Sequence, residues 1–272
     1  TFKMVVVASA LEAGLVTPET TFELGPDITV YDRVVHEAHD DVPKVRNLSV
    51  TEILAQSSNV GAVTLGLKVG KERLAQTVND FNFTEANSWQ YTFFVPHDIS
   101  GEMEAMGGPA AYAAKLDSLF AASPQTTGRE QSDITGLIGQ YAHGNEPSHH
   151  MAYLYAYAGQ PWKTQERVRQ IMDTMYAARP DGLIGNEDCG QMSAWYVLSA
   201  LGFYSVCPGR PEYAIGTPLF PGAAVQLPNG VTFTIEAHGA GPERPYIQSA
   251  TLDGEPFERA WLTHDEILRG GR

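Results

Sequence analysis

The sequence predicts a mixed α and β protein whose middle is mainly helical and whose C-terminal part is built from β-hairpins. Three observations predict this class. Apolar stretches of helical length follow Pro109 and Pro161, and the first turn of a helix tolerates proline. Towards the C-terminus, short alternating runs are separated by the turn pairs Asn229-Gly230 and Asp253-Gly254, which favour hairpins. Composition also changes near Phe81, after which aromatic residues become frequent.

The N-terminal segment is expected to alternate helices with short strands. Residues 4–13 are expected to form a buried helix, and residues 28–31 are typical of a short strand. Ser49-Val50-Thr51-Glu52 has the pattern of a capping box and should begin a helix. A second apolar run covers residues 60–69, and a short helix is expected from Glu72.

The middle of the chain contains four apolar stretches of helical length, and Gly202 should close the last of them. The expected helices cover residues 109–121, 147–158, 161–178 and 190–201. The order of elements is therefore strands and helices first, helices next and hairpins last.

Size and charge limit the possible classes of protein. With 272 residues, 43% of them hydrophobic, the chain can form one large or two medium domains with a real core. Its net charge of −14 argues against a nucleic-acid binder, which needs a basic face. No apolar run reaches the roughly 20 residues of a transmembrane segment. The sequence does not fix an oligomeric state.

Two further features concern the cysteines and the start of the chain. Cys189 and Cys207 are too few for a disulfide scaffold, so a single pair and two free, mostly buried thiols both stay open. The chain opens on Thr1 without a methionine or a signal-peptide pattern. We therefore expect this N-terminus to be a cut end.

The N-terminal segment carries residues typical of serine acylation chemistry. Thr1-Phe2-Lys3 stands at a helix start, and Ser57-Ser58-Asn59 stands at a helix junction. A serine before Thr1 would complete Ser-x-x-Lys, in which an amine one helical turn away takes the proton of the hydroxyl. Ser-x-Asn would supply a proton-relay hydroxyl and an amide that holds the substrate. An ordinary polar helix end is the alternative.

Longer runs around these residues resemble the transpeptidase domain of penicillin-binding proteins. The similar stretches are Thr1–Lys3, Ala10–Gly14 and Ile53–Gly61. The resemblance implies a first domain at residues 1–81, with Lys3 as the tetrad lysine and with Ser57 and Asn59 in the Ser-x-Asn roles. The serine to be acylated is not in the sequence, and no Lys-Thr/Ser-Gly motif occurs. We therefore expect this transpeptidase-like remnant to be inactive.

Three later clusters combine acids, amides and aromatic residues on turns. They are Glu85–Tyr91, His143–His150 and Gly185–Gln191. Glycoside hydrolysis needs two carboxyl groups across the scissile bond, one to protonate the leaving oxygen and one, in inverting enzymes, to activate water. Acids on turns beside glycine or proline can point at a sugar more freely than acids inside a helix. The clusters therefore indicate a carbohydrate-cleaving site.

Each of these residues also has an ordinary structural interpretation. Glu85 alone would be a solvated loop acid, Asp188 could cap a helix, and Trp89 could belong to the core. His149 and His150 could be packing or capping residues. The joint occurrence of the three clusters favours the functional interpretation.

Wider stretches around the clusters resemble glycoside hydrolase family 92, the calcium-dependent exo-acting α-mannosidases. The similar stretches are Trp89–Tyr91, Val95–Asp98, Gly139–His150, Gln160–Thr164, Gly185–Tyr196 and Gly202–Tyr204. The resemblance covers residues 82–272 and implies an inverting mechanism in an (α/α)6 barrel that follows an N-terminal β-sandwich. It divides this part of the chain into a piece of the barrel, 82–208, and a β-rich region, 209–272.

The resemblance implies that Glu85 is the general acid and that Asp188 is the general base. Asn186 stands where the family often has a second acid, which leaves Asp188 as the sole base. Ala86 stands where glycine is expected, so the turn carrying Glu85 is strained if the φ of Ala86 is positive. The two carboxyl groups should face a common cleft about 6.5–9.5 Å apart.

The resemblance also implies a calcium ion, which in this family grips two hydroxyls of the −1 mannose. Calcium prefers oxygen ligands, and Asn145 and Glu146 are the first candidates. The implied contacts to the substrate come from Trp89, His143, Glu146 and His149. The substrates would be α-mannoside glycans, and both resemblances imply a periplasmic or secreted protein.

We therefore expect a fusion, joined near residues 80–84, of an incomplete α+β transpeptidase fragment with the C-terminal part of a mainly helical mannosidase. Neither catalytic unit is expected to be complete, so mannosidase identity is expected with weak or no turnover. Two alternatives stay open. One is an inactive module derived from a penicillin-binding or peptidoglycan transpeptidase, and the other is a chimera of the two fragments without function.

Overall fold

The computed structural model describes residues 2–30, 33–37, 45–70, 83–126 and 131–272. The chain divides into two compact units: Thr1–Asn87 with Thr126–Glu130, and Ser88–Gln125 with Gln131–Arg272. The short helix expected from Glu72 lies outside the described residues. Within the described ranges, no helix is both long enough and apolar enough to cross a membrane.

The first unit alternates helices and short strands, as the sequence predicts. Its elements are α1 (Phe2–Glu12), β1 (Thr21–Leu24), β2 (Asp27–Val30), β3 (Arg33–His36), β4 (Arg46–Ser49), α2 (Val50–Ala55) and α3 (Asn59–Val69). Strand β1 pairs antiparallel with β4, and β2 pairs antiparallel with β3. The core is aliphatic and includes Val6, Ala10, Leu24, Leu48, Ile53 and Leu65.

The capping box at the start of α2 is confirmed. The Ser49 hydroxyl accepts a hydrogen bond from the backbone N–H of Glu52, and the Glu52 carboxylate accepts one from the backbone N–H of Ser49. These two bonds satisfy N–H groups that have no partner inside the helix. The helix therefore begins where the sequence places it.

The second unit begins with helices that pack around an aromatic core. Its helices are α4 (Ser88–Tyr91), α5 (Ile99–Ala105), α6 (Pro109–Ala121), α7 (Leu154–Tyr157), α8 (Pro161–Met175) and α9 (Gln191–Leu201). Pro109 and Pro161 occupy first turns, and Gly202 ends α9 with a left-handed φ of 102°. The core includes Phe93, Tyr112, Tyr141, Tyr153, Tyr155 and Trp195, all fully buried.

The single helix expected over residues 147–158 is wrong. The chain forms two 3-10 turns, Glu146–Ser148 and Met151–Tyr153, before the short helix α7. The reason is the anchoring of two side chains between these turns. The ring nitrogens Nε2 of His149 and His150 lie 2.9 Å and 2.7 Å from the carbonyl oxygens of His143 and Phe93. One bond reaches back six residues and the other 57, and neither fits the repeat of a continuous helix.

Strands β5 (Leu137–Ile138) and β6 (Tyr141–Ala142) pair with each other and precede α7. The C-terminal region is built of short antiparallel strands, as expected. They are β7 (Phe203–Tyr204), β8 (Glu212–Ile215), β9 (Gly222–Gln226), β10 (Thr232–Glu236), β11 (Thr251–Leu252), β12 (Glu255–Pro256) and β13 (Trp261–Thr263), and α10 (His264–Leu268) follows. The Asp253-Gly254 hairpin is confirmed, with positive φ at both residues. The Asn229-Gly230 pair lies in the turn that joins β9 to β10.

The cysteines are not paired with each other. Both are free, with Cys189 exposed and Cys207 half-buried. The expectation of mostly buried thiols is therefore wrong for Cys189. Its backbone has a left-handed φ of 59° in a turn at the surface, which carries the side chain outward from the core.

Candidate active site

Two of the sequence clusters meet through a contact between glycines. Gly144 donates its backbone N–H to Thr135 O at 3.0 Å, and Asn186 donates to Gly144 O at 2.9 Å. A Cβ added at Gly185 would overlap the backbone of Gly144, and one added at Gly144 would overlap the Thr135 hydroxyl. Only glycine permits this approach. The contact sets the turn that carries Asn145 and Glu146 beside the turn that carries Asn186.

Side chains strengthen the same junction. The Asn186 amide nitrogen lies 3.1 Å from Asp133 Oδ1 and 3.1 Å from Asn145 Oδ1. Asn145 is buried, while Asp133 and Asn186 are half-buried. The sequence analysis missed Asp133, whose only signal is an acid shortly before the Gly136 turn. Three segments that are distant in the sequence are thus joined through one amide.

The turn before α9 has an unusual backbone. Asp188, Cys189 and Gly190 have successive φ values of 31°, 59° and 92°. Left-handed φ at residues other than glycine costs free energy and often marks functional sites. Gly190 is the N-cap of α9 and no side chain caps the helix, so the interpretation of Asp188 as a helix cap is wrong. The Asp188 side chain is exposed and makes no hydrogen bond or ion pair within the described part of the chain.

Two oxygen atoms near this turn lack partners. Glu187 Oε1 accepts a hydrogen bond from the backbone N–H of Ser193 at 3.4 Å, but its Oε2 is buried without a partner among the described residues. The hydroxyl oxygen of Thr135 is also buried without a partner among the described residues. Leaving a buried polar atom unpaired costs about 1–3 kcal/mol. Such oxygen atoms suit a bound cation or a donating hydroxyl.

His143 lies at the centre of the aromatic core. It is fully buried; its Nδ1 lies 2.7 Å from the Tyr141 hydroxyl, and its Nε2 lies 2.7 Å from the Tyr176 hydroxyl. The Trp195 ring packs edge-on against it at 4.4 Å between centroids. Burial holds the pKa of His143 well below its usual range, so the ring is neutral. The substrate contact implied for His143 does not agree with this burial, because both nitrogens are already bonded.

His149 and His150 are also buried and neutral. Burial lowers the pKa of each to about 4. The His149 Nδ1 lies 3.2 Å from the Gln191 amide nitrogen, and its backbone oxygen accepts from Trp195 Nε1 at 3.0 Å. The substrate contact implied for His149 does not agree with these bonds either, since they fill both ring nitrogens. His149 instead connects the first turn to the beginning of α9.

Comparison with known protein families shows the family to which the chain belongs. The profile of the glycosyl hydrolase family 92 catalytic domain matches residues 56–272. The chain belongs to glycoside hydrolase family 92. The profile of the penicillin binding protein transpeptidase domain matches residues 1–105, so the two matches overlap within residues 56–105. Both resemblances seen in the sequence are confirmed.

Individual relatives agree with both matches. An "Uncharacterized secreted glycosidase" of Arthroderma benhamiae is 32% identical over 198 residues, which are 72% of this chain and 24% of that protein. The structure of a family 92 inverting mannosidase of Bacteroides thetaiotaomicron shows 39% identity and a TM-score of 0.62, over 80% of this chain and 34% of its own. A "Probable peptidoglycan D,D-transpeptidase FtsI" of Caulobacter vibrioides is 31% identical over 85 residues, which are 31% of this chain and 14% of that protein.

The chain therefore spans only a quarter to a third of the family 92 relatives. Within the family 92 region, Glu146 is half-buried at the start of its 3-10 turn. Trp89 is half-buried on α4 and packs against the aromatic core, with Lys115 Nζ 5.2 Å from its ring centre. No group of three or more His, Cys, Asp or Glu side chains that could hold a metal is found among the described residues.

Glu85, the expected acid of the family 92 site, is exposed and has a left-handed φ of 60°. The positive φ expected at Ala86 is not found; it lies one residue earlier, at Glu85, where a left-handed φ costs free energy. Glu85 falls in the first unit and Asp188 in the second. Their expected separation stays a prediction.

The transpeptidase-like residues lie in the first unit. Lys3 Nζ donates to the Ser57 hydroxyl at 2.9 Å and also to the Ser57 carbonyl oxygen. The Asn59 side-chain amide donates to His36 O at 2.9 Å, and its backbone N–H donates to Glu37 Oε2 at 2.8 Å. The fold thus brings Lys3 to Ser57, while the amide of Asn59 is bonded to the adjacent strand β3.

Proposed function

We propose that the family 92 region is part of an inverting, calcium-dependent exo-α-mannosidase that releases mannose from α-mannosides. The observation that carries this proposal is the contact of Gly144 with Gly185, which sets Asn145 and Glu146 beside the turn of Asp188. The inverting mannosidase among the relatives supports the reaction type. In this proposal residues 82–208 belong to an (α/α)6 barrel, and residues 209–272 form its β-rich C-terminal region.

Asp188 is the proposed general base. An inverting reaction needs a carboxylate that takes a proton from water on the face opposite the leaving group. The Asp188 carboxylate is exposed at a strained turn and has no hydrogen bond among the described residues, so it can accept that proton. Asn186, at the position of a second family acid, is uncharged and bonded to Asp133 and Asn145. It therefore supports the turn and leaves the base role to Asp188.

Glu85 is the proposed general acid. It would donate a proton to the leaving oxygen, which matters most when the leaving group is a poorly acidic sugar hydroxyl. An inverting enzyme needs about 6.5–9.5 Å between its two carboxyl groups, which leaves room for the sugar and the water. Trp89 and Glu146 are the proposed contacts to the substrate.

The residues beside the turn fit a calcium ion by their chemistry. Asn145 and Glu146 offer the oxygen atoms that calcium prefers, and Glu187 adds a buried carboxylate oxygen that has no partner among the residues the structure describes. When bound, the ion would grip two hydroxyls of the −1 mannose and favour its distortion. The chain's own residues hold the turns together and provide the base.

Binding measurements test this proposal on the chain as it stands. Calorimetric titration with a mannose-configured iminosugar should show binding that is stronger with calcium than with a chelator. A chain that binds no such iminosugar under either condition contradicts the proposal. Turnover should be weak, because the chain spans about a third of the inverting relative. A product released with retained anomeric configuration would contradict the inverting mechanism. A periplasmic or secreted location is proposed from the secreted relative.

A second candidate function is an inactive module derived from a peptidoglycan transpeptidase. The observation that favours it is the contact of Lys3 with Ser57, within the region that matches the transpeptidase profile. One N–H of the Asn59 amide donates to His36 O, which ties this side chain to strand β3. A fluorescent penicillin should leave no covalent label. Stoichiometric labelling that hydroxylamine removes would contradict this proposal and favour an active acylation site.

A further inference from the structure

His149 makes two hydrogen bonds of opposite direction through its ring. Its Nε2 lies 2.9 Å from His143 O, and a carbonyl oxygen can only accept, so Nε2 carries the proton. The Gln191 amide nitrogen lies 3.2 Å from Nδ1, and an amide nitrogen can only donate, so Nδ1 is the acceptor. A single tautomer of His149 satisfies both contacts.

This tautomer fixes the direction of the Gln191 amide. Only the NH₂ group of Gln191 can donate to a bare Nδ1, so the carbonyl oxygen Oε1 must point away from His149. Gln191 is half-buried, and its side chain makes no other hydrogen bond within the residues that the structure describes. The carbonyl oxygen of Gln191 and its second N–H therefore face away from His149, and which of the two positions is the oxygen is fixed.

The position of Gln191 in the chain connects its oriented amide to the turn that carries Asp188. Gln191 is the first residue of α9, and its backbone N–H donates at 2.7 Å to Glu187 O across the turn that carries Asp188. The proposed base and the oriented amide are therefore attached to the same turn. The Trp195 N–H bond to His149 O ties the histidine to the next turn of α9 as well.

We propose that Gln191 binds the sugar ring and that His149 is the positioning residue that sets the polarity of its amide. This inference deepens the proposed mannosidase function and rests on it. An amide that presents an acceptor and a donor side by side matches two neighbouring hydroxyls of one sugar, one that donates and one that accepts. The site would therefore select a ligand with adjacent hydroxyl groups near the base.

Nuclear magnetic resonance of the imidazole nitrogens tests the first half of the proposal without any ligand. In the full chain, the ¹⁵N shifts of His149 should show a proton on Nε2 and a hydrogen-bonded acceptor at Nδ1. Gln191→Met, at a half-buried position, should remove the acceptor shift of Nδ1 and leave the proton on Nε2. Gln191→Glu should raise the pKa of His149, because a carboxylate can bond to Nδ1 only when that nitrogen is protonated. A proton on Nδ1, or shifts that ignore both variants, overturns the inference.

A matched pair of substitutions tests the second half. His149→Asn places an acceptor where Nδ1 stands and keeps the bond from Gln191, whereas His149→Gln keeps the donor to His143 O and loses that acceptor. Affinity for a mannose-configured iminosugar should fall about three- to tenfold in His149→Gln and in Gln191→Met, the effect of one hydrogen bond. His149→Asn should retain more affinity than His149→Gln. Equal affinities in wild type and Gln191→Met, or the reverse order of the His149 pair, contradict the proposal.

The two measurements separate this inference from the function on which it rests. A wild-type chain that shows the expected His149 tautomer but binds no iminosugar overturns the proposed mannosidase and, with it, the sugar role of Gln191. A wild-type chain that binds the iminosugar while Gln191→Met leaves both affinity and the Nδ1 shift unchanged overturns the inference alone.

Discussion

The polar clusters of the two units differ in how far their atoms satisfy one another. In the first unit, Lys3 donates to Ser57, and the Asn59 amide donates to the backbone of a neighbouring strand. In the second unit, Asp188 is exposed without a partner among the described residues, and Glu187 keeps one buried oxygen unpaired. Unpaired polar atoms cost stability and persist where a ligand completes them.

The comparison also separates two uses of the same residue type. Asn59 holds one backbone oxygen and so stabilises its own unit. Asn186 joins two oxygen-bearing side chains from different segments of the second unit, Asp133 and Asn145. The first amide stabilises one local contact, whereas the second organises the turns on which the proposed site is built.

The largest expected effect is a loss of stability of the second unit in mild acid. The unfolded chain takes up protons on His143, His149 and His150 below about pH 6.5, whereas burial holds the folded pKa of His149 and His150 to about 4. The unfolded state therefore binds more protons, and stability falls as pH falls. Each residue should contribute about 1.4 kcal/mol per pH unit between these limits.

Urea denaturation followed by tryptophan fluorescence checks this, because Trp89, Trp162, Trp195 and Trp261 all lie in the second unit. His150→Gln should weaken the dependence of the free energy of unfolding on pH. His97→Gln, at an exposed position, is the control. A profile that is flat between pH 6.5 and pH 4.5 would contradict the neutral buried histidines.

The next effect concerns turnover. In a protein that carries a family 92 N-terminal sequence in place of residues 1–80, Asp188→Asn should lower hydrolysis of an aryl α-mannoside and of α-mannobiose by about 10²–10⁴-fold. Both substrates need the activated water. Glu85→Gln should lower hydrolysis of α-mannobiose far more than hydrolysis of the aryl α-mannoside, because only the poor leaving group needs the proton. Intact turnover in Asp188→Asn would place the base elsewhere.

A smaller loss is expected from the glycine contact. Gly185→Ala should destabilise the second unit by about 3 kcal/mol or more, since the new methyl overlaps Gly144 and the φ of 78° disfavours alanine. Gly209→Ala is the matched control, because Gly209 has a similar φ of 92° with open space around it. It should cost only the backbone term, about 1–2 kcal/mol. Equal losses in the two variants would remove the steric argument.

The smallest effect compares the two asparagines directly. Asn59→Ala and Asn186→Ala should each cost about 1 kcal/mol in their own unit. Only Asn186→Ala should also weaken iminosugar binding, because it releases Asp133 and Asn145. Asn186→Asp should cost more at pH 7 than at pH 5, since it sets a second carboxylate beside Asp133. A binding loss in Asn59→Ala of the same size would erase the distinction between the clusters.

The sequence by itself determined the features whose physics is complete within a few residues. The capping box of Ser49 and Glu52, the Asp253-Gly254 hairpin and the glycine end of α9 each depend on one local bond or one φ angle. The same holds for the family membership, because long runs of residues carry it. The roles of Glu85 and Asp188 come from those runs and stay predictions.

Tertiary structure alone decided the features that depend on partners far along the chain. The segment 147–158 became 3-10 turns where His150 bonds to the carbonyl oxygen of Phe93, which is 57 residues away. Asp133 joined the site because Asn186, which is remote in the sequence, donates to it. His143 became a buried ring bonded to the hydroxyls of Tyr141 and Tyr176. No local sequence pattern determines which oxygen elsewhere in the chain accepts a given hydrogen bond, so only the folded chain could show these bonds.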